Sequence, residues 1–264
     1  MNALPKLKHF IILSSLVFTT SCSKNKKIDP KICANSSANQ LYQFGINEFN
    51  HERYKLASEY FKLIFEQHPV ENIIEKSELM YAYSLYMNGQ YQDAIDVYQN
   101  FILYFPNSVY TGYVRYMKFM AHYNQILDVS RDQKKTTEAL FAFLELKENI
   151  SSTSPYLLDA SKKILLVHDY LAAEHLYIGI QRLKENNSVA AIIKFKHVLS
   201  YKSIHSQEAL YRIAESYTAL GLDVQAAKYF SILKYNFPNS AWYQKGLVNF
   251  KNYGWFTKYN QFFN

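Results

Sequence analysis

Residues 94–108 read AIDVYQNFILYFPNS and residues 226–240 read AAKYFSILKYNFPNS. Each stretch opens on Ala, sets an aromatic residue four positions on and an apolar residue seven on, and closes with Phe-Pro-Asn-Ser. Steps of four and seven place side chains on one face of an α-helix. The Pro ends that helix, because it lacks an N–H and disfavours helix in the residue before it. Working outward, the phrase recurs as Ala57, Phe61, Ile64 and Pro69. Weaker copies are Ala139, Phe143, Leu146 and Ala191, Phe195, Val198, with Ser151 and Ser203 in the Pro position. Twelve residues before the Ala lies Gly45, Ala82, Gly179 or Ala214 in four of the five copies. The third copy instead has Phe119, twenty residues before Ala139, so it carries an insertion near 126–135 (ILDVSRDQKK).

Each copy is predicted to be a helical hairpin. Helix A holds the small residue, helix B holds the Ala, and their backbones approach closely where both side chains are small. NGQ (88–90) and LGLD (220–223) supply turns between A and B. A single hairpin cannot bury its apolar face, whereas stacked neighbours bury a continuous one. The spacing resembles the tetratricopeptide repeat (TPR). The expected fold is all-α: a TPR superhelical solenoid of five helical hairpins plus a C-terminal capping helix. NYGWFTKYNQFF (252–263) is read as that cap and tail, with a partner-docking tail as the alternative. Composition agrees: of 264 residues only 7 are Gly and 6 Pro, while 24 are Tyr and 18 Phe, which suits amphipathic helices better than strands. The rival reading is a helical bundle with accidental spacing.

The N-terminus reads as a leader rather than as fold. Lys6 and Lys8 precede an apolar stretch from Phe10 to Phe18, which is too short for the ~20 residues of a membrane span, and small residues follow. They end on Cys22, in a setting that resembles a bacterial lipobox, although Thr19 stands where Leu is usual. This reading divides the chain into a signal peptide (1–21), a polar tether (22–37) carrying a lipid on Cys22, and the repeats (38–264). An ordinary signal peptide with a chance cysteine is the alternative. Ser23, rather than Asp, follows the cysteine, which implies outer-membrane sorting. Acyl chains contribute ~0.8 kcal/mol per buried methylene, so several of them hold a protein firmly. With Cys22 acylated, Cys33 has no intrachain partner and no disulfide framework forms.

No catalytic constellation stands out. The eight His residues match no recognised metal spacing, no phosphate-binding Gly motif occurs, and both cysteines precede the repeats. Neither enzyme activity nor any cofactor beyond the covalent lipid is expected. Glu174-His175, placed at the start of a helix A, is read as structural. The net charge of +7 is mild, and no nucleic acid partner is expected. In the TPR family the concave face is lined by helix A, at positions three before, one after and four after the small residue. Those offsets give Tyr42, Ile46 and Phe49 in the first copy and Leu79, Tyr83 and Tyr86 in the second. The third copy gives Tyr116, Met120 and Tyr123, with Tyr113 one turn earlier. Copies four and five give Leu176, Ile180, Leu183 and Tyr211, Glu215, Thr218. Tyr42, Phe49, Tyr83, Tyr86, Tyr113, Tyr116 and Tyr123 therefore form a candidate peptide-binding face, since Tyr joins a large apolar area to a polar tip. Packing between repeats is the alternative role for them.

The layout resembles the BamD family, the lipoproteins of the outer-membrane β-barrel assembly machine. The likeness spans about residues 20–250. It rests on LYQFGINEFNHERYKLASEYFKLI (41–64), ELMYAYSLYMNGQYQDAI (78–95), GYVRYMKFMAHYNQI (112–126) with Arg131-Asp132, PYLLDA (155–160), LVHDYLAAEHLYIGI (166–180) and FPNSAWY (237–243). Gly112, Phe119 and Ile193-Lys194 depart from the family pattern, and Lys194 lacks the planar fork of the usual Arg. The resemblance implies a scaffold on the periplasmic face of the outer membrane. Its N-terminal half (38–165) holds unfolded outer-membrane proteins, and its C-terminal half (166–264) docks BamA, beside other Bam lipoproteins. Arg131, Asp132 and Lys194 are the implied BamA contacts. The alternative is an envelope TPR lipoprotein or periplasmic adaptor serving cell-wall enzymes.

Overall fold

A computed structural model describes residues 35–69, 72–128 and 131–259. The leader, Cys22, Cys33, most of the tether and the last residues of the aromatic tail lie outside the described residues. Twelve helices and no strand occur among those residues. The first three hairpins are α1 (Ala38–Asn50) with α2 (Tyr54–Gln67), α3 (Ile74–Met87) with α4 (Tyr91–Tyr104), and α5 (Thr111–Tyr123) with α6 (Lys134–Asn149). Then come α7 (Pro155–Lys184) with α8 (Ser188–Val198), and α9 (Ser206–Ala219) with α10 (Asp223–Asn236). Two further helices, α11 (Ala241–Phe250) and α12 (Gly254–Lys258), close the chain. Each helix from α1 to α10 packs on the helices before and after it, which is the ladder expected of a solenoid.

The repeat phrase is the core. Ala57, Ala94, Ala139, Ala191 and Ala226 are fully buried, as are Ile64, Phe101, Leu146, Val198 and Leu233 seven residues on. The aromatics between them, Phe61, Tyr98, Phe143, Phe195 and Phe230, are buried too, each contributing about 1.5–3 kcal/mol. The small residue on helix A is the seat of that ring. A Cβ added to Gly45 would lie 2.7 Å from Phe61, and one added to Gly179 would lie 2.4 Å from Phe195. In the third hairpin Phe119 occupies the seat and meets Phe143 edge-on with ring centroids 5.9 Å apart.

The hairpin turn is also a repeat. Seven residues past the small position the backbone turns left-handed four times, at Glu52 (φ 59°), Gly89 (77°), Asn186 (58°) and Gly221 (69°). In each case the next amide bonds back to a carbonyl five residues earlier, as Gln90 N does to Leu85 O at 2.9 Å and Arg53 N to Glu48 O at 3.0 Å. Glu52 adopts a conformation that strains an L side chain by about 1 kcal/mol. Glu52→Gly is therefore expected to raise stability by roughly that amount, measured by urea denaturation. The first helix starts on a capping box: Ser37 Oγ accepts from Gln40 N at 3.3 Å, and Gln40 Oε1 accepts from Ser37 N at 2.8 Å.

Two expectations change, the place of Glu174-His175 and the number of cap helices. With Ser151 in the proline position, the third helix B, α6, ends at Asn149 without a proline, and Pro155 opens α7, where its missing N–H costs nothing. No second proline follows up to Lys184, so α7 runs continuously through residues 165 and 166. Glu174-His175 lies inside this helix and not at a helix start. The C-terminal cap is two helices. Gly246 of α11 seats Phe230, where an added Cβ would come within 2.2 Å, and Trp255 of α12 is 1% exposed. Its indole Nε1 donates to Thr218 Oγ1 at 3.1 Å.

Candidate functional site

The inner offsets of helix A bring five of the seven singled-out aromatics into one wall. On α1 and α3, Phe49 lies 5.4 Å from Tyr83, which stacks on Tyr86 at 6.3 Å with an interplanar angle of 15°. On α5, Tyr113 and Tyr116 both meet Tyr156 of α7, at 5.6 and 5.4 Å. All of these residues are half-buried. The other two pack elsewhere: Tyr42 edge-on against Phe61 at 5.5 Å, and Tyr123 tilted against Phe119 at 5.9 Å.

Polar tips lie along the wall. Asn124 Nδ2 donates to Tyr86 Oη at 2.7 Å. Tyr116 Oη donates to Asp159 Oδ2 at 2.6 Å, and Lys163 donates to the same oxygen at 2.6 Å. Those bonds, from Lys163 first and Tyr116 second, hold the Asp159 carboxyl below its usual range. Burial, and then the neighbouring Tyr83, Tyr156 and Tyr86, push Tyr113 up to about 12. Burial and then the Asp159 bond and charge raise Tyr116 as well. Tyr113 and Tyr116 thus keep their hydroxyl protons at neutral pH.

Beneath it, Tyr98 of α4 reaches from helix B toward the same hydroxyls. Its side chain is fully buried, and its Oη has no hydrogen-bond partner. Burial raises its pKa, followed by the proximity of Tyr113, Tyr86 and Tyr83. An unsatisfied buried hydroxyl costs about 1–3 kcal/mol. Tyr98→Phe is expected to raise stability by about 1–2 kcal/mol in a denaturant titration. A fall in stability would mean that the hydroxyl has a partner in the free protein.

Offset counting missed Tyr156 and Tyr98. Tyr156 lies 23 residues before Gly179, outside any counted position, and the helix-B offset of Tyr98 reads only as core. In the fifth copy Tyr211 is fully buried under α11, 5.3 Å from Trp242 and 5.4 Å from Phe250, so it lines no open face. Arg131 and Asp132 are exposed in the α5–α6 connection, where Asp132 Oδ1 accepts from Lys134 N at 3.1 Å. Lys194 is half-exposed on α8. None of the described contacts joins Lys194 to that connection. No group of three or more metal-ligating side chains, and no helix long and apolar enough to cross a membrane, occurs among the described residues.

Hairpins that pair an aromatic of one helix with a small residue of the other in four copies, and with Phe119 in the third, define a tetratricopeptide-repeat protein. A family profile described as "YfiO: Outer membrane lipoprotein" matches residues 34–233. An "Outer membrane protein assembly factor BamD" from Rickettsia prowazekii is 41% identical over 215 residues, 81% of this chain and 85% of that one. A protein of the same name from Caulobacter vibrioides is 36% identical over 205 residues, 77% of this chain and 67% of that one. The chain belongs to this family of outer membrane protein assembly factors.

Proposed function

We propose that the chain is a lipid-anchored scaffold on the periplasmic face of the outer membrane, where it holds unfolded outer-membrane proteins and docks BamA. The observation that carries the substrate half is the aromatic wall from Phe49 to Tyr156, which spans the first three hairpins and the start of α7. A helical repeat offers no sheet edge, so recognition rests on side-chain pockets rather than on added strands. Rings with hydroxyl tips suit an extended, aromatic-rich segment: they stack on its rings and donate to its carbonyls. Lys194, on the C-terminal hairpins, and Arg131 and Asp132, in the inserted connection, are the proposed BamA contacts, and other Bam lipoproteins complete the assembly. The lipid is carried by Cys22.

Photo-reactive residues at Tyr83, Tyr116 and Lys194 in growing cells test this division. The expected products are nascent barrel proteins from positions 83 and 116, and BamA from position 194. Products with cell-wall enzymes alone, and none with BamA, would replace the reading by a general envelope adaptor. Cys22→Ala is expected to move the chain from the membrane to the soluble fraction and to abolish palmitate labelling. Retained labelling would refute the anchor.

A further inference from the structure

A second recess lies between α2, α3 and α4, on different faces of these helices from the aromatic wall. It is a cleft of about 650 Å³. Phe65 and Tyr81 meet there with ring centroids 6.0 Å apart, and Val97 and Phe105 extend the apolar lining. Lys62 and Glu66 stand at its edge and pair with each other at 3.5 Å. The cleft opens beside Tyr104, which is 66% exposed. Besides Glu66, which is paired with Lys62, its lining includes the carboxyl of Glu78, which is 8% exposed. Among the described residues no hydrogen bond or ion pair reaches that carboxyl. Burial alone pushes its pKa up to about 7.

An acidic group buried nine-tenths, lining an apolar cleft and lacking a cation, is a costly arrangement unless a cation arrives from outside. We infer that the α2–α4 cleft is a docking slot for a partner polypeptide that inserts an Arg or Lys side chain, flanked by large apolar residues, onto the Glu78 carboxylate. The charge selects the basic residue. The rings of Phe65, Tyr81 and Tyr104 take its apolar neighbours and can stack on a guanidinium. The slot is independent of the aromatic wall, so a chain held there leaves the wall free.

The test uses the full isotope-labelled chain in detergent and two synthetic probes, acetyl-Leu-Arg-Leu-amide and acetyl-Leu-Gln-Leu-amide, followed by NMR. The Arg probe is expected to shift the resonances of Phe65, Tyr81 and Tyr104. The Gln probe should bind about tenfold more weakly or worse, since a charge-assisted bond is lost. Glu78→Gln should bring the two probes to equal affinity. Binding of the Arg probe should tighten as pH rises through about 7, because Glu78 then ionises. Equal affinity of the two probes for the native chain overturns the proposal, and so does the absence of shifts at millimolar probe. Binding that emerges only after residues 23–34 are deleted would assign the slot to the chain's own basic N-terminal segment and would equally refute a partner. The probe comparison needs no variant, so a poorly folded Glu78→Gln would not blunt it.

Discussion

Phe230→Ala is expected to cost about 3–5 kcal/mol, as for a large ring removed from a rigid core. Few residues in this fold hold so much together. Phe230 is fully buried, and its ring lies 5.3 Å from both Tyr243 and Phe250, 6.1 Å from Trp255 and 6.0 Å from Phe256. It is therefore the post on which α11 and α12 close the C-terminal end. Stability in a repeat array is transmitted through nearest neighbours. The lost protection should accordingly concentrate in α9 to α12 and leave α1 and α2 close to native in hydrogen exchange. A cost below 1 kcal/mol, or an even loss of protection along the chain, would contradict this account.

Gly179→Val is expected to destabilise by about 2–3 kcal/mol, because a branched side chain has nowhere to go. Even a lone Cβ at this position would sit 2.4 Å from one carbon of Phe195 and 2.7 Å from another. Phe195→Ala alone should cost about 3–5 kcal/mol through the cavity it leaves. The double variant should cost clearly less than the sum, since the ring that valine strikes is gone. Simple additivity in urea denaturation would show that Gly179 does not act as the seat of Phe195.

Much of this fold was legible because an α-helix fixes which residues share a face. The offsets of twelve, four and seven located all five buried Ala positions, the aromatics and the apolar partners. What escaped was set by neighbours. Glu52 and Asn186 adopt the left-handed turn that Gly89 and Gly221 advertise, yet neither residue type announces it. The cap helix α11 carries Gly246 as a seat, but twelve residues on stands Lys258 instead of Ala, so the phrase breaks there. Glu174-His175 lies inside α7 because Pro155 opens the helix and no second proline follows up to Lys184. At the wall, counting found Phe49, Tyr83, Tyr86, Tyr113 and Tyr116. Tyr156 joined them through a helix whose start was not foreseen. The Glu78 cleft is built by three helices at once, and no spacing along one helix encodes it.

The uninterrupted course of α7 has a mechanical consequence. At 1.5 Å per residue its 30 residues make a rod of about 45 Å. Tyr156 sits at one end among the wall rings, and Gly179 near the other anchors the fourth hairpin. A rod with no joint converts rotation at one end into translation at the other: a tilt of about 5° displaces the far end by about 4 Å over this length. Whatever wedges against Tyr156 therefore pushes on the fourth hairpin through a lever arm, with no hinge along α7 to absorb the stroke.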